Sequence, residues 1–170
     1  VELKAKSVRF VETYAVSPIS AYLLSVYCKE WGRKVSLELY SKMSLENKKS
    51  EFGIKIKKFI DINKAAEVGD MFVDFRQTSA DGLQIQLSSL TGKYVLLEFW
   101  ASWCGPCRKE NPNLVALYKK YKDRGFEIFG VSQDISASAW KKAITDDKIT
   151  WPNVSDLKGG ENEAALIYGV

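Results

Sequence analysis

Between residues 95 and 131 the chain reads as strand, cysteine pair, helix and strand, and this alternation constrains its fold more than any other feature. Val95 to Trp100 is a near-continuous apolar run of β-favouring residues, a pattern expected of a strand covered on both faces. Trp103-Cys104-Gly105-Pro106-Cys107 follows. A helix is predicted from about Cys107 to Arg124, because Leu114, Leu117, Tyr118 and Tyr121 recur at i, i+3, i+4 and i+7. Gly125 suits the position that closes a helix. Phe126 to Val131 is a second buried strand, and Ser136 can cap a further helix with Trp140, Ala143 and Ile144 on one face. Such alternation predicts an α/β fold, a parallel sheet with right-handed crossovers. Upstream, Asp81-Gly82 signals a hairpin turn before the alternating Leu83, Ile85 and Leu87, and Thr91-Gly92-Lys93 reads as a turn. Downstream, Trp151-Pro152 opens a polar loop that runs through Gly159-Gly160, and a short helical pattern spans Glu161 to Tyr168.

Residues 1–65 differ in texture and read as helices. Val8, Val11 and Tyr14 can line one face of a short helix. Ser17-Pro18 is a helix start, with a hydroxyl cap before Pro at the first position. Leu23, Val26 and Tyr27 recur at helical spacing, and Gly32 is expected to stop the run. A third helix is predicted from Ser44 to about Asn63, with Phe52, Ile56, Phe59 and Ile60 as its apolar stripe. Lys48, Lys49, Lys55, Lys57 and Lys58 flank it as a solvated face. The expected organisation is a helical region over 1–65 and an α/β domain over 66–170.

Composition narrows the chemistry. The 170 residues suffice for one domain with an appendage. With no His, the chain can build neither a Ser-His-Asp nor a Cys-His catalytic site. Three Cys are too few for a Cys-only zinc site or a disulfide framework. A net charge of +4 without a dense basic block does not imply nucleic acid. No apolar run is long enough to span a bilayer. The chain opens with Val and shows no signal-peptide pattern, so processing or trimming is expected.

The cysteine pair carries the chemistry. A dithiol between a buried strand and a helix sits at a helix N-terminus, where unpaired N–H groups carry roughly half a positive charge. That field favours thiolate, and such motifs reach pKa values of about 3.5–7 against about 8.5 for an ordinary thiol. Cys104 comes first and is expected to be the more exposed sulfur, the one that attacks a substrate disulfide. Cys107, inside the first turn, then resolves the mixed disulfide. Zinc would need four ligands, and the remaining thiol, Cys28, belongs to another segment, where it reads as a buried apolar residue. A merely structural disulfide over so short a loop would gain little loop-closure entropy. Glu98 places a carboxylate inside the apolar strand, where burial raises its pKa and suits it to take a proton from Cys107. The other reading is a carboxylate that reaches the strand edge or pairs with a lysine. Glu110, one turn after Cys107, either opposes thiolate formation and tunes the pair or complements the helix dipole. Pro112 predicts a kink. Trp103 can cover Cys104 and offer an apolar surface to a peptide, whereas Trp100 reads as core.

The stretch Val95-Leu-Leu-Glu-Phe-Trp-Ala-Ser-Trp-Cys-Gly-Pro-Cys-Arg-Lys-Glu-Asn-Pro112 resembles the thioredoxin superfamily, and more narrowly the TlpA/ResA group of cell-envelope thiol-disulfide oxidoreductases. Val68-Gly69-Asp70, the Asp81-Gly82 hairpin, Gly125 to Asp134, Trp151-Pro152 and Tyr168-Gly169-Val170 fit as well. The resemblance implies a thioredoxin-like fold over about 67–170, with Cys104 as nucleophile, Cys107 as resolving thiol, Glu98 as buried acid and Glu110 as redox-tuning glutamate. Trp103, Gly105 and Pro106 would meet the substrate. It further implies a closing cis-proline hairpin and last helix, which have no counterpart before Val170, so that a sheet edge would lie exposed. The redox-active disulfide would be the only cofactor, with no metal and no nucleic acid. Partners would be disulfide-containing exported proteins and an upstream membrane or envelope reductant. The location would be the cell envelope or periplasm, with an anchor in the parent protein. A peroxidase of related fold is a weaker variant, since its lone reactive Cys would stand in a different setting. The alternative from another class is a partner-binding or tethering module with an incomplete, weakly active thioredoxin domain.

Overall fold

The computed structural model describes residues 2–64, 66–90 and 92–170, with side chains from residue 4 onward. The chain divides into two compact units, residues 1–73 with 166–170, and residues 74–165. The boundary expected after residue 65 touches Ala65, which lies outside the described residues.

The first unit is helical: α1 (Glu2–Thr13), α2 (Pro18–Lys42), α3 (Leu45–Lys49) and α4 (Glu51–Ile62). Ser17 caps α2 by accepting from the Ile19 N–H, with Pro18 in the first turn. Gly32 stops the first helical run, as expected, and α2 is two helices that meet across a kink at this residue. Gly32 takes φ +82, which only glycine adopts without strain. The Ser36 hydroxyl crosses the kink and donates to the Cys28 carbonyl at 3.0 Å. The buried face of α2 is Ala21, Leu24, Cys28 and Trp31, one residue out of phase with the expected stripe, and Val26 is 52% exposed. The predicted third helix is two. Ser50 ends α3 and caps α4, donating to the Asn47 carbonyl and accepting from the Gly53 N–H. Ile56, Phe59 and Ile60 of α4 join Val11, Leu24, Leu39 and Leu166 in one core. Lys55 and Lys57 pair with Glu51 and Asp61 at i,i+4 spacing on the solvated side.

The second unit is built on a five-stranded sheet, in the order β2 (Gln84–Gln86), β1 (Arg76–Ser79), β5 (Asn153–Ser155), β4 (Phe126–Ser132) and β3 (Tyr94–Trp100). β3, β4 and β5 are parallel, and β1 is antiparallel to both its neighbours. The helices are α5 (Gly105–Tyr121), α6 (Ala137–Asp146) and α7 (Glu163–Tyr168), the last continuing into the first unit's C-terminal residues. The hairpin turns at Gly82, at φ +91. The turn expected at Thr91 begins outside the described residues, although Gly92 has φ +87 and the Lys93 N–H bonds the Leu90 carbonyl.

Three local expectations are corrected. β3 is covered only in part, with Tyr94 and Leu96 exposed and Trp100 buried, and among the described residues it pairs with β4 alone at the border of the sheet. The polar loop after Pro152 contains β5, a buried strand between β1 and β4; its polar residues are satisfied, Asn153 by Trp100 and Ser155 by the Ser132 carbonyl. On α5 the core is touched by Leu114, Val115 and Tyr118, while Leu117 is exposed. α5 continues through Pro112, whose missing N–H leaves the Arg108 carbonyl without its helical donor.

Candidate active site

β3 delivers the chain to the N-terminus of α5, and the Cys104 N–H bonds the Ala101 carbonyl at 3.0 Å to close the intervening turn. Cys104 is the cap of α5: its Sγ accepts from the Cys107 N–H at 3.3 Å. The two cysteines form a disulfide with their Cα atoms 5.3 Å apart. Both are half-buried, so burial alone does not separate them. Their surroundings do: Cys107 packs against the buried cluster of Trp100, Ile128, Trp140, Ala143, Ile149 and Trp151. Gly105 and Pro106 are exposed, and Trp103 is 72% exposed beside them.

Glu98 lies in register with Gly130 and, one strand further, with Asn153. A Cβ at Gly130 would drive into the Asn153 side chain, so glycine keeps that amide free to accept from Trp100 Nε1 at 2.8 Å and to donate to the Trp151 carbonyl at 3.1 Å. The Glu98 Oε2 atom is buried with no hydrogen-bond partner. Burial pushes the Glu98 carboxyl up to about 7; the Trp151 indole opposes this, although its Nε1 makes no hydrogen bond of ordinary geometry. Glu98 and Cys107 thus both border the cluster that contains Trp151. Glu110 stands apart, exposed on α5, where its carboxylate accepts from Asn113 at 3.2 Å.

Polar residues that the sequence did not single out surround the cysteine turn. Asp134 is buried, and it accepts from the Ser102 N–H at 2.9 Å, the Ser102 hydroxyl and the Ser132 hydroxyl. Arg108 forks onto Asp147 at the end of α6, and Asn111 donates to the same carboxylate at 2.7 Å. Burial pushes the Asp147 carboxyl up, but hydrogen bonds from Arg108 and Asn111 more than offset this and hold it below the ordinary carboxylate range. No spacing rule links Arg108 to a residue 39 positions on; the only hint was an ionisable side chain immediately after the second cysteine.

A family model described as AhpC/TSA matches residues 68–170, more than half of the chain. The chain belongs to the AhpC/TSA family. Within it, the chain is 40% identical over 103 residues to the thiol-disulfide oxidoreductase ResA of Oceanobacillus iheyensis, which covers 58% of this chain and 54% of that protein. This AhpC/TSA chain therefore spans about half the length of the curated relatives it matches. Among solved structures it is similar to the thioredoxin domain of a thiol-disulfide oxidoreductase from Bacteroides vulgatus, at 38% identity and a TM-score of 0.53, covering 56% of this chain and 69% of that one. A thiol-disulfide oxidoreductase from Bacteroides fragilis matches at 36% identity and a TM-score of 0.51, covering 55% and 70%. The fold of this AhpC/TSA member is thioredoxin-like, as the cysteine motif led one to expect.

Proposed function

We propose that the chain carries a dithiol that reduces disulfides in other proteins. The observation that carries the reading is the Cys104–Cys107 disulfide across the first turn of α5, with Cys104 Sγ already accepting the Cys107 N–H. In the reduced protein the same N–H and the helix dipole would stabilise a Cys104 thiolate. That thiolate attacks one sulfur of a substrate disulfide, forms the mixed disulfide and expels the other sulfur as thiolate. Cys107 then gives its proton to Glu98 and attacks the Cys104 sulfur. The internal disulfide closes, the second substrate thiolate leaves, and two electrons have passed to the substrate. The unpartnered Oε2 and the raised pKa support Glu98 as proton acceptor.

Trp103, Gly105 and Pro106 form the exposed rim on which a substrate would rest. The redox-active disulfide serves as the only cofactor. Regeneration needs a dithiol reductant, and substrates with disulfides persist in oxidising compartments, so the cell envelope is the fitting location. Among the described residues no helix is long and apolar enough to cross a membrane. The similarity to relatives named thiol-disulfide oxidoreductase supports the reading.

The test is capture. A Cys107→Ser variant incubated with a disulfide-bonded protein should accumulate a mixed disulfide that disappears on adding dithiothreitol and never forms in Cys104→Ser. Absence of any adduct, with retained binding to an envelope partner, would favour the tethering reading instead.

A further inference from the structure

Ser102, two residues before Cys104, is held from both sides. Its N–H and hydroxyl donate to Asp134 at 2.9 and 2.5 Å, and its carbonyl accepts from Arg108 Nη1 at 3.0 Å. Arg108 in turn is held by Asp147, Nη2 to Oδ1 at 2.7 Å and Nε to Oδ2. One guanidinium thus joins the end of α6 to the turn that presents the nucleophile. We propose that Asp134, Arg108 and Asp147 are positioning residues that clamp the Cys104 turn onto the N-terminus of α5 and so keep the Cys104 thiolate reactive, an inference that rests on the dithiol reading above.

The mechanism is geometric. The benefit of a helix N-terminus falls off within its first turn, so the sulfur must be kept in line with the Cys107 N–H. Arg108 supplies little net charge, because Asp147 binds it directly and Asp146 Oδ2 stands 3.8 Å from Nη2. Its planar fork is what reaches two acceptors at once, a carboxylate on one edge and a backbone carbonyl on the other, which an ammonium on a flexible stem does not reproduce. Asp134 is buried and spends its oxygens on Ser102 and Ser132, a placement that secures the same residue from the opposite side. The ionisable groups on the packed elements are Tyr94 and Glu98 on β3, Arg108, Lys109, Glu110, Tyr118, Lys119, Lys120 and Tyr121 on α5, Glu127 on β4 with Asp134 after it, and Lys141, Lys142, Asp146 and Asp147 on and after α6.

The reduced 170-residue chain tests this by titration of Cys104, read as thiolate absorbance near 240 nm and as alkylation rate against pH. Arg108→Gln, Arg108→Lys and Asp147→Asn should each raise the midpoint by about half a pH unit or more and slow alkylation below the midpoint about threefold. Lys is expected to behave like Gln; a wild-type midpoint in Arg108→Lys would overturn the clamp, since charge alone would then suffice. Folded variants that melt earlier yet titrate as wild type would overturn it too, leaving only a structural role. If Arg108→Gln fails to fold, Arg108→Lys and Asp147→Asn carry the comparison. Failure of the underlying reading looks different: wild-type Cys104 would itself titrate as an ordinary thiol near 8.5.

Discussion

At the scale of single residues, Glu98 concentrates the tension between folding and chemistry. Its pKa is raised from 4.5 to about 7 by burial, so the folded state prefers the protonated form. As pH rises through that window the unfolded chain loses its proton first, and stability is lost progressively from about 4.5 to about 7. Glu98→Gln removes the titration. Its stability relative to wild type should therefore climb between pH 5 and pH 8, by ~1–2 kcal/mol once screening at a partly exposed group is allowed for. Urea unfolding at both pH values measures this; a constant difference would mean that Glu98 is not strained by burial. The same variant should slow resolution of the mixed disulfide more than its formation, because only resolution needs the Cys107 proton removed. Acid-quenched time points would then show the mixed disulfide accumulating, and equal slowing of both steps would contradict the assigned role.

At the scale of elements, the two glycines Gly53 and Gly105 make opposite demands. Gly53, in the first turn of α4, lies where a Cβ would collide with the Asn47 and Lys48 carbonyls of α3. Those are backbone atoms and cannot swing aside. Gly53→Ala should cost about 2–3 kcal/mol. Gly105 begins α5 with open space where a Cβ would stand and no positive φ. Gly105→Ala should leave thermal stability unchanged or raise it by a few tenths to ~1 kcal/mol, since Ala suits a helix better. Paired thermal melts decide: comparable losses at both sites would show that close approach is not what selects glycine at 53. Ser50→Ala should cost about 1 kcal/mol by deleting the cap that starts α4, read in the same melts.

At the scale of the whole molecule, the direction of electron flow is a statement about two folded states. Closing a four-residue loop removes about 2 kcal/mol of chain entropy from the unfolded state, which favours the oxidised fold. A stabilised Cys104 thiolate favours the reduced fold and subtracts from that figure. For a reductant the oxidised protein should remain the more stable, by less than about 2 kcal/mol near pH 7. Denaturant unfolding with and without dithiothreitol gives the difference. The tryptophan signal suits it, because Trp100, Trp103, Trp140 and Trp151 all belong to the 74–165 unit. A reduced form more stable than the oxidised one would reverse the assignment and make the pair an oxidant.

What could be read from the sequence alone was whatever is encoded within a few residues. The caps at Ser17, Ser44 and Ser136, the closing turn at Gly125 and the placement of Cys104 and Cys107 at a helix start are local, and each stands where it was expected. Glu98 could be singled out because a carboxylate in an apolar run is conspicuous in any fold. Tertiary structure decided the rest. β5 owes its strand to pairing on both sides, since Asn153-Val154-Ser155 has almost no apolar pattern of its own. A second helical run follows the break at Gly32 because it has a core to pack against, with Leu39 buried in it. The hold on Ser102 joins Asp134, Arg108 and Asp147 from separate elements, and only the packing of α5 against the sheet and α6 brings their charges within hydrogen-bond reach. Local structure follows from short-range sterics and capping, whereas the environment of the dithiol depends on distances between segments, which no periodicity records.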